Sequence, residues 1–98
     1  MKIAIIGGTG PQGQGLALRF AKAGLEVFVG SRDPERAEST VSEVNSRLPI
    51  GSSNIVGMSN IDAIRAADEM VIFAVPWSGH NDTLNIIKKE LSNKILVD

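Results

Sequence analysis

Gly7, Gly8, Gly10, Gly13 and Gly15 follow directly on Lys2–Ile6, a short run that is apolar after its first residue. A strand with so little polarity is covered on both faces, which places it at the centre of a parallel sheet flanked by helices. Within the cluster, Gly8-Thr9-Gly10-Pro11-Gln12-Gly13 fits G-x-G-x-x-G between a strand and a helix, the setting in which this pattern signals a dinucleotide-binding turn. The reasons are steric and electrostatic. Gly8 allows a tight turn, Gly10 lets the backbone approach a pyrophosphate, and Gly13 permits close packing of helix on strand. Thr9, Pro11 and Gln12 complete the lining, and the helix that starts at Pro11 or Gln12 turns its free N–H groups and positive dipole end toward the anion. The alternative is a glycine-rich turn that binds nothing.

The rest of the chain alternates strand-like and helix-period segments, the pattern of βαβ units. The first helix reaches Ala23 and ends on Gly24, and a second strand covers Leu25–Val29. Asp33 reads as an N-cap with Pro34 at the first helical position and Glu35 in the first turn; Ala37, Val41, Val44 and Leu48 then form one apolar stripe. A loop at Pro49–Asn54 leads to a third strand, Ile55–Met58, and Asn60 is positioned to cap a brief third helix through Ile61, Ile64 and Ala67. A fourth strand, Met70–Val75, is stopped by Pro76; a fourth helix covers Asn81–Leu91, and a fifth strand Ile95–Val97. The expected fold is a doubly wound α/β domain over residues 1–98, with five parallel strands in the order 3-2-1-4-5 and no second domain. Its switch point lies between strands 1 and 4, so Val75, Pro76 and Trp77 stand beside the glycine turn at the carboxyl edge. Trp77 either walls a ligand site there or covers the rim of a small core.

The end of the second strand bears on which dinucleotide is expected. Domains that prefer NAD carry Asp or Glu there, accepting hydrogen bonds from the adenine ribose. Here the place falls at Gly30 or Ser31, followed by Arg32, with Arg36 one helical turn further on. Nothing acidic at that place repels a 2′-phosphate, and a hydroxyl with two guanidinium groups could surround one, which is an NADP pattern. The plainer reading is a solvated Arg pair beside Asp33 and Glu35.

Composition excludes several other classes. Ten Lys+Arg against 11 Asp+Glu, without a basic run, leave no electrostatic footprint for nucleic acid. With no Cys and only His80, neither a disulfide frame nor a zinc site of the usual ligands is expected. The apolar stretches are far shorter than the roughly 20 residues a membrane helix requires, and no signal-peptide pattern precedes the first strand. The expectation is a cytoplasmic protein. Short-chain dehydrogenase chemistry is disfavoured because the chain has no Tyr.

Ile5-Ile6-Gly7-Gly8-Thr9-Gly10, Gly13-Gln14-Gly15-Leu16-Ala17, Val29-Gly30-Ser31-Arg32 and Pro76-Trp77 together resemble the N-terminal domain of NADPH:coenzyme F420 oxidoreductases of archaea and bacteria, over essentially the whole chain. The resemblance implies hydride transfer between the nicotinamide C4 of NADP and C5 of a deazaflavin, coenzyme F420, as the small-molecule redox co-substrate. It implies that Thr9, Ser31 and Arg32 contact the 2′-phosphate and that Arg36 supplies a further positive charge. Family members often carry a His two residues beyond the Pro-Trp pair, whereas here Ser78 and Gly79 precede His80. In the family the polypeptide continues beyond the fifth strand into segments that supply much of the deazaflavin pocket and the homodimer contacts. The sequence therefore reads as the nucleotide-binding part, and no acid–base residue is assigned. Two other readings stay open: a stand-alone NADP-binding or redox-sensing module, and the first domain of an imine or keto-acid reductase.

Overall fold

The computed structural model describes residues 1–49, 55–68, 70–74 and 95–97. Its elements run β1 (Lys2–Ile6), α1 (Pro11–Lys22), β2 (Glu26–Ser31), α2 (Pro34–Asn45), β3 (Ile55–Ser59), α3 (Asn60–Ala66), β4 (Met70–Phe73) and β5 (Ile95–Val97). The strands are parallel throughout and lie in the order β3-β2-β1-β4-β5, as the alternating pattern of the sequence predicts.

Because side chains alternate along a strand, β1 divides its apolar residues between two cores. Ile3 and Ile5 face α1 and α2 and pack with Ala17, Ala21, Val27, Val29, Val41 and Val44. Ala4 and Ile6 face the other way and pack with Ala63, Ile64 and Ala67 of the α3 segment and with Val71 and Phe73. All four β1 residues are at most 1% exposed, which is why this strand tolerates no polarity after Lys2. Its register sets Ile5 opposite Val29 on one side and Ile72 on the other, so the three strands end at nearly the same height.

Element ends differ from the sequence expectation where tertiary contacts decide them. β2 continues through Gly30 and Ser31, which pair with Met58 and Ser59, instead of stopping at Val29. Gly30 acts here as a spacer, since an added Cβ would lie 2.7 Å from Asn60 Oδ1 and 2.9 Å from Asn60 Cα. α3 is capped by Ser59, whose Oγ accepts the Asp62 N–H at 3.1 Å, and Asn60 is not its cap. Ser59-Asn60-Ile61-Asp62 is a capping-box pattern, so the Asn60 side chain is left for another task. The end of α2 is tied to the start of β3 by one side chain: Asn45 Nδ2 donates to the Ile55 carbonyl and Asn45 Oδ1 accepts the Ile55 N–H. Gly24, at φ +91°, closes α1 in the left-handed region expected of a residue just past a helix.

α2 approaches β3 closely at Gly57, where an added Cβ would lie 2.5 Å from the Ala37 carbonyl oxygen. Gly57→Ala must push the α2 backbone away from the sheet. A loss of about 1–3 kcal/mol is expected, read as a lowered urea midpoint with an unchanged slope.

Candidate functional site

β1, β2 and β4 end together on one side of the sheet, and the loops leaving them enclose a crevice of about 450 Å³. It is lined by Gly7, Thr9, Gly10, Pro11 and Gln12 from the β1–α1 turn, and by Ser31, Arg32, Asp33 and Arg36 from the β2–α2 turn. Asn60 and Ala74 close it on the remaining side. The place is the switch point of the sheet, where chain connections diverge to either side of β1 and open α/β folds bind their ligands.

The glycine turn is built in layers. Gly7, at φ +68°, makes the left-handed step of the tight turn that the sequence reading attributes to Gly8. Gly8 instead lies buried on the core and stays tied to the sheet, its N–H donating to the Gly30 carbonyl at 3.1 Å. Gly13 stacks directly on it: an added Cβ would lie 2.5 Å from Gly8 Cα. Gly8 and Gly13 therefore shape the turn from beneath and do not line the crevice. Gly10 is different in kind, since an added Cβ there would meet nothing within 4 Å. It is the N-cap of α1 with no side-chain hydrogen bond to the helix, Pro11 follows it, and the first turn holds no acidic residue. First-turn amides are thus left to an external acceptor, with the positive end of the helix dipole behind them. Gln14 Nε2 donates to the Thr9 carbonyl at 2.7 Å and braces the loop from the helix side.

The opposite wall is organised by Ser31 and Asp33. Ser31 is 7% exposed, and its Oγ accepts the Asp33 N–H at 3.1 Å, which leaves its hydroxyl proton to donate elsewhere. Asp33 Oδ1 accepts the N–H groups of Glu35 and Arg36, so this carboxylate caps α2 as the Asp-Pro pair predicts, although it also borders the crevice. Arg32 and Arg36 are exposed on the same rim. The structure thus brings Thr9, Gly10, Pro11, Gln12, Ser31, Arg32 and Arg36 around one space. Val75, Pro76, Trp77, His80 and the expected fourth helix lie outside the described residues. Gly7, Asn60 and Ala74 line the crevice without having been singled out for it; Asn60 could have been found from the capping box, which assigns the cap to Ser59.

A five-stranded parallel sheet with an uncapped, glycine-led helix facing a crevice at its switch point defines a dinucleotide-binding domain of the Rossmann class. Within that class the chain belongs to the family described as NADP oxidoreductase, coenzyme F420-dependent, whose model it matches over residues 2–98. It is 46% identical over 98 residues to the F420-dependent NADP reductase of Methanothermobacter thermautotrophicus and 43% identical over 98 residues to that of Methanothermobacter marburgensis. It is 41% identical over 99 aligned positions to the F420-dependent NADP reductase of Methanocaldococcus jannaschii. Those alignments take in 99–100% of this chain and 42–44% of the relatives, so the chain spans less than half the length of the curated proteins it matches. Among solved structures it is similar in fold to an imine reductase of Streptomyces aurantiacus, with a TM-score of 0.68 and 23% identity over 98% of this chain and 30% of that one.

Proposed function

We propose that residues 1–98 are the NADP(H)-binding domain of an oxidoreductase that passes hydride between NADP and the deazaflavin coenzyme F420. The observation that carries this reading is the convergence of Ser31, Arg32 and Arg36 with the uncapped start of α1 on one crevice. The only carboxylate among the described lining residues, that of Asp33, is engaged by two backbone amides. In this reading Gly10 and the first turn of α1 receive the pyrophosphate. The Ser31 hydroxyl, Thr9 and the two guanidinium groups receive the 2′-phosphate. When bound, the nicotinamide supplies the hydride chemistry, and the protein's part is to orient it and hold its charge. The names of the relatives support the choice of deazaflavin as the second redox partner.

Calorimetric titration with NADPH and NADH tests the assignment. NADPH should bind more tightly, and Arg32→Ala should weaken NADPH alone. A charge-assisted contact is worth roughly 1.5–3 kcal/mol, so the expected loss is about 10- to 150-fold. Equal losses for the two nucleotides would remove Arg32 from the 2′-phosphate.

A further inference from the structure

Asn60 is 6% exposed, and it lies where three pieces of the crevice meet. Its Oδ1 accepts the Gly7 N–H at 3.2 Å, at the positive-φ residue from which the glycine turn rises. The contact is specific to this backbone, because the absence of a side chain at Gly30 is what lets Asn60 come so close to β2. A backbone N–H can only donate, so the atom facing it is the amide oxygen, and the NH₂ of Asn60 is left for a different partner. Among the described residues that Nδ2 has no hydrogen-bond partner, although the residue is more than nine-tenths buried and borders the crevice. Buried amide donors are ordinarily paired, and one left unpaired beside a cavity calls for a partner that the cavity can supply.

We infer that Asn60 is a cofactor-binding residue with two tasks: its oxygen fixes the glycine turn through Gly7, and its NH₂ donates to an oxygen of the ribose–pyrophosphate portion of the dinucleotide. The inference rests on the NADP(H)-binding reading and deepens it. Asn60 is hydrogen-bonded to Gly7 at the root of the glycine turn, whereas Arg32 and Arg36 stand on the β2–α2 rim. Its acceptor therefore belongs to the part that NADPH and NADH share. Arg32 chooses between the two cofactors, and Asn60 serves both.

The experiment compares Asn60→Asp, Asn60→Ala and Arg32→Ala with the unaltered protein, titrating each with NADPH and with NADH and following the Gly7 amide by hydrogen exchange. Asn60→Asp keeps an acceptor for Gly7 but replaces the donor by a carboxylate. It should weaken both nucleotides by the same factor, about tenfold or more, while the Gly7 amide stays protected. Asn60→Ala should weaken both and also speed exchange at Gly7 in the free protein. Asn60→Ser, small and uncharged, replaces Asn60→Asp if the buried carboxylate prevents folding, with the same equal losses expected. Undiminished affinity in folded Asn60 variants would overturn the inference, leaving Asn60 a purely structural brace. A loss confined to NADPH would also overturn it, since the acceptor would then be the 2′-phosphate. If the unaltered protein binds neither nucleotide, it is the NADP(H) reading that fails; if it binds both and the variants match it, only the role of Asn60 does.

Discussion

Gly10→Val is expected to abolish binding of NADPH and NADH alike while leaving the fold in place. The backbone at Gly10 is extended, at φ −78° and ψ 171°, and an added Cβ would meet no neighbour within 4 Å, so the free protein has room for a branched side chain. Replacing a glycine N-cap by valine costs α1 only about 1 kcal/mol. The room it fills, however, is the approach to the first-turn amides. Forfeiting two charge-assisted contacts of about 1.5–3 kcal/mol each reduces affinity by more than about 100-fold. Gly13→Val provides the contrast, because a Cβ there would lie 2.5 Å from Gly8 Cα and force α1 off the sheet. Calorimetry paired with circular dichroism separates the two: Gly10→Val keeps its spectrum and loses its ligand, whereas Gly13→Val loses both. Native-like affinity in Gly10→Val would reduce the turn to a plain βα connection.

A larger effect is expected in turnover. Residues 1–98, produced alone, should bind NADPH but reduce coenzyme F420 orders of magnitude more slowly than a relative of full length. In the proposed reading the donors for a dinucleotide come from the segments after β1 and β2 and from the segment before β4, all within this chain. The relatives have more than twice its length. Holding two reactants in attack geometry is worth about 7–11 kcal/mol of barrier, and a solvent-open nicotinamide forfeits much of it. Steady-state rates for the two proteins under saturating NADPH check this. Comparable rates would show that residues 1–98, alone or with a second copy of themselves, build the deazaflavin pocket.

What the sequence revealed and what it hid divide along a physical line. The strand and helix segments, the helix stripes and the Asp33 cap follow from local periodicity and capping chemistry, each encoded within a few neighbouring residues, and the strand order follows from the doubly wound rule that their alternation invokes. Most residues around the crevice are legible as two clusters, Thr9–Gln12 and Ser31, Arg32 and Arg36, since each follows a strand end. Hidden features depend on contacts far apart in sequence. Gly30 reads as a strand terminator until the close approach of Asn60 is known, and only then does its missing side chain become a requirement of packing. Gly7 falls outside the six-residue pattern and yet makes the turn. Asn60 reads as a cap of the helix it begins, whereas its hydrogen bond runs 53 residues back to the glycine turn.

Engineers who wish to convert such a domain to the unphosphorylated cofactor graft an acid onto the end of the second strand. Gly30 closes that route here, because any side chain collides with Asn60 and, through it, disturbs the anchor of Gly7. Moving the graft one residue on replaces the hydroxyl that receives the Asp33 amide, and so loosens the launch of α2 along with the proposed phosphate pocket. In the proposed NADP(H) reading, cofactor preference is built into the packing of the second βα unit, and a change of diet calls for rebuilding both.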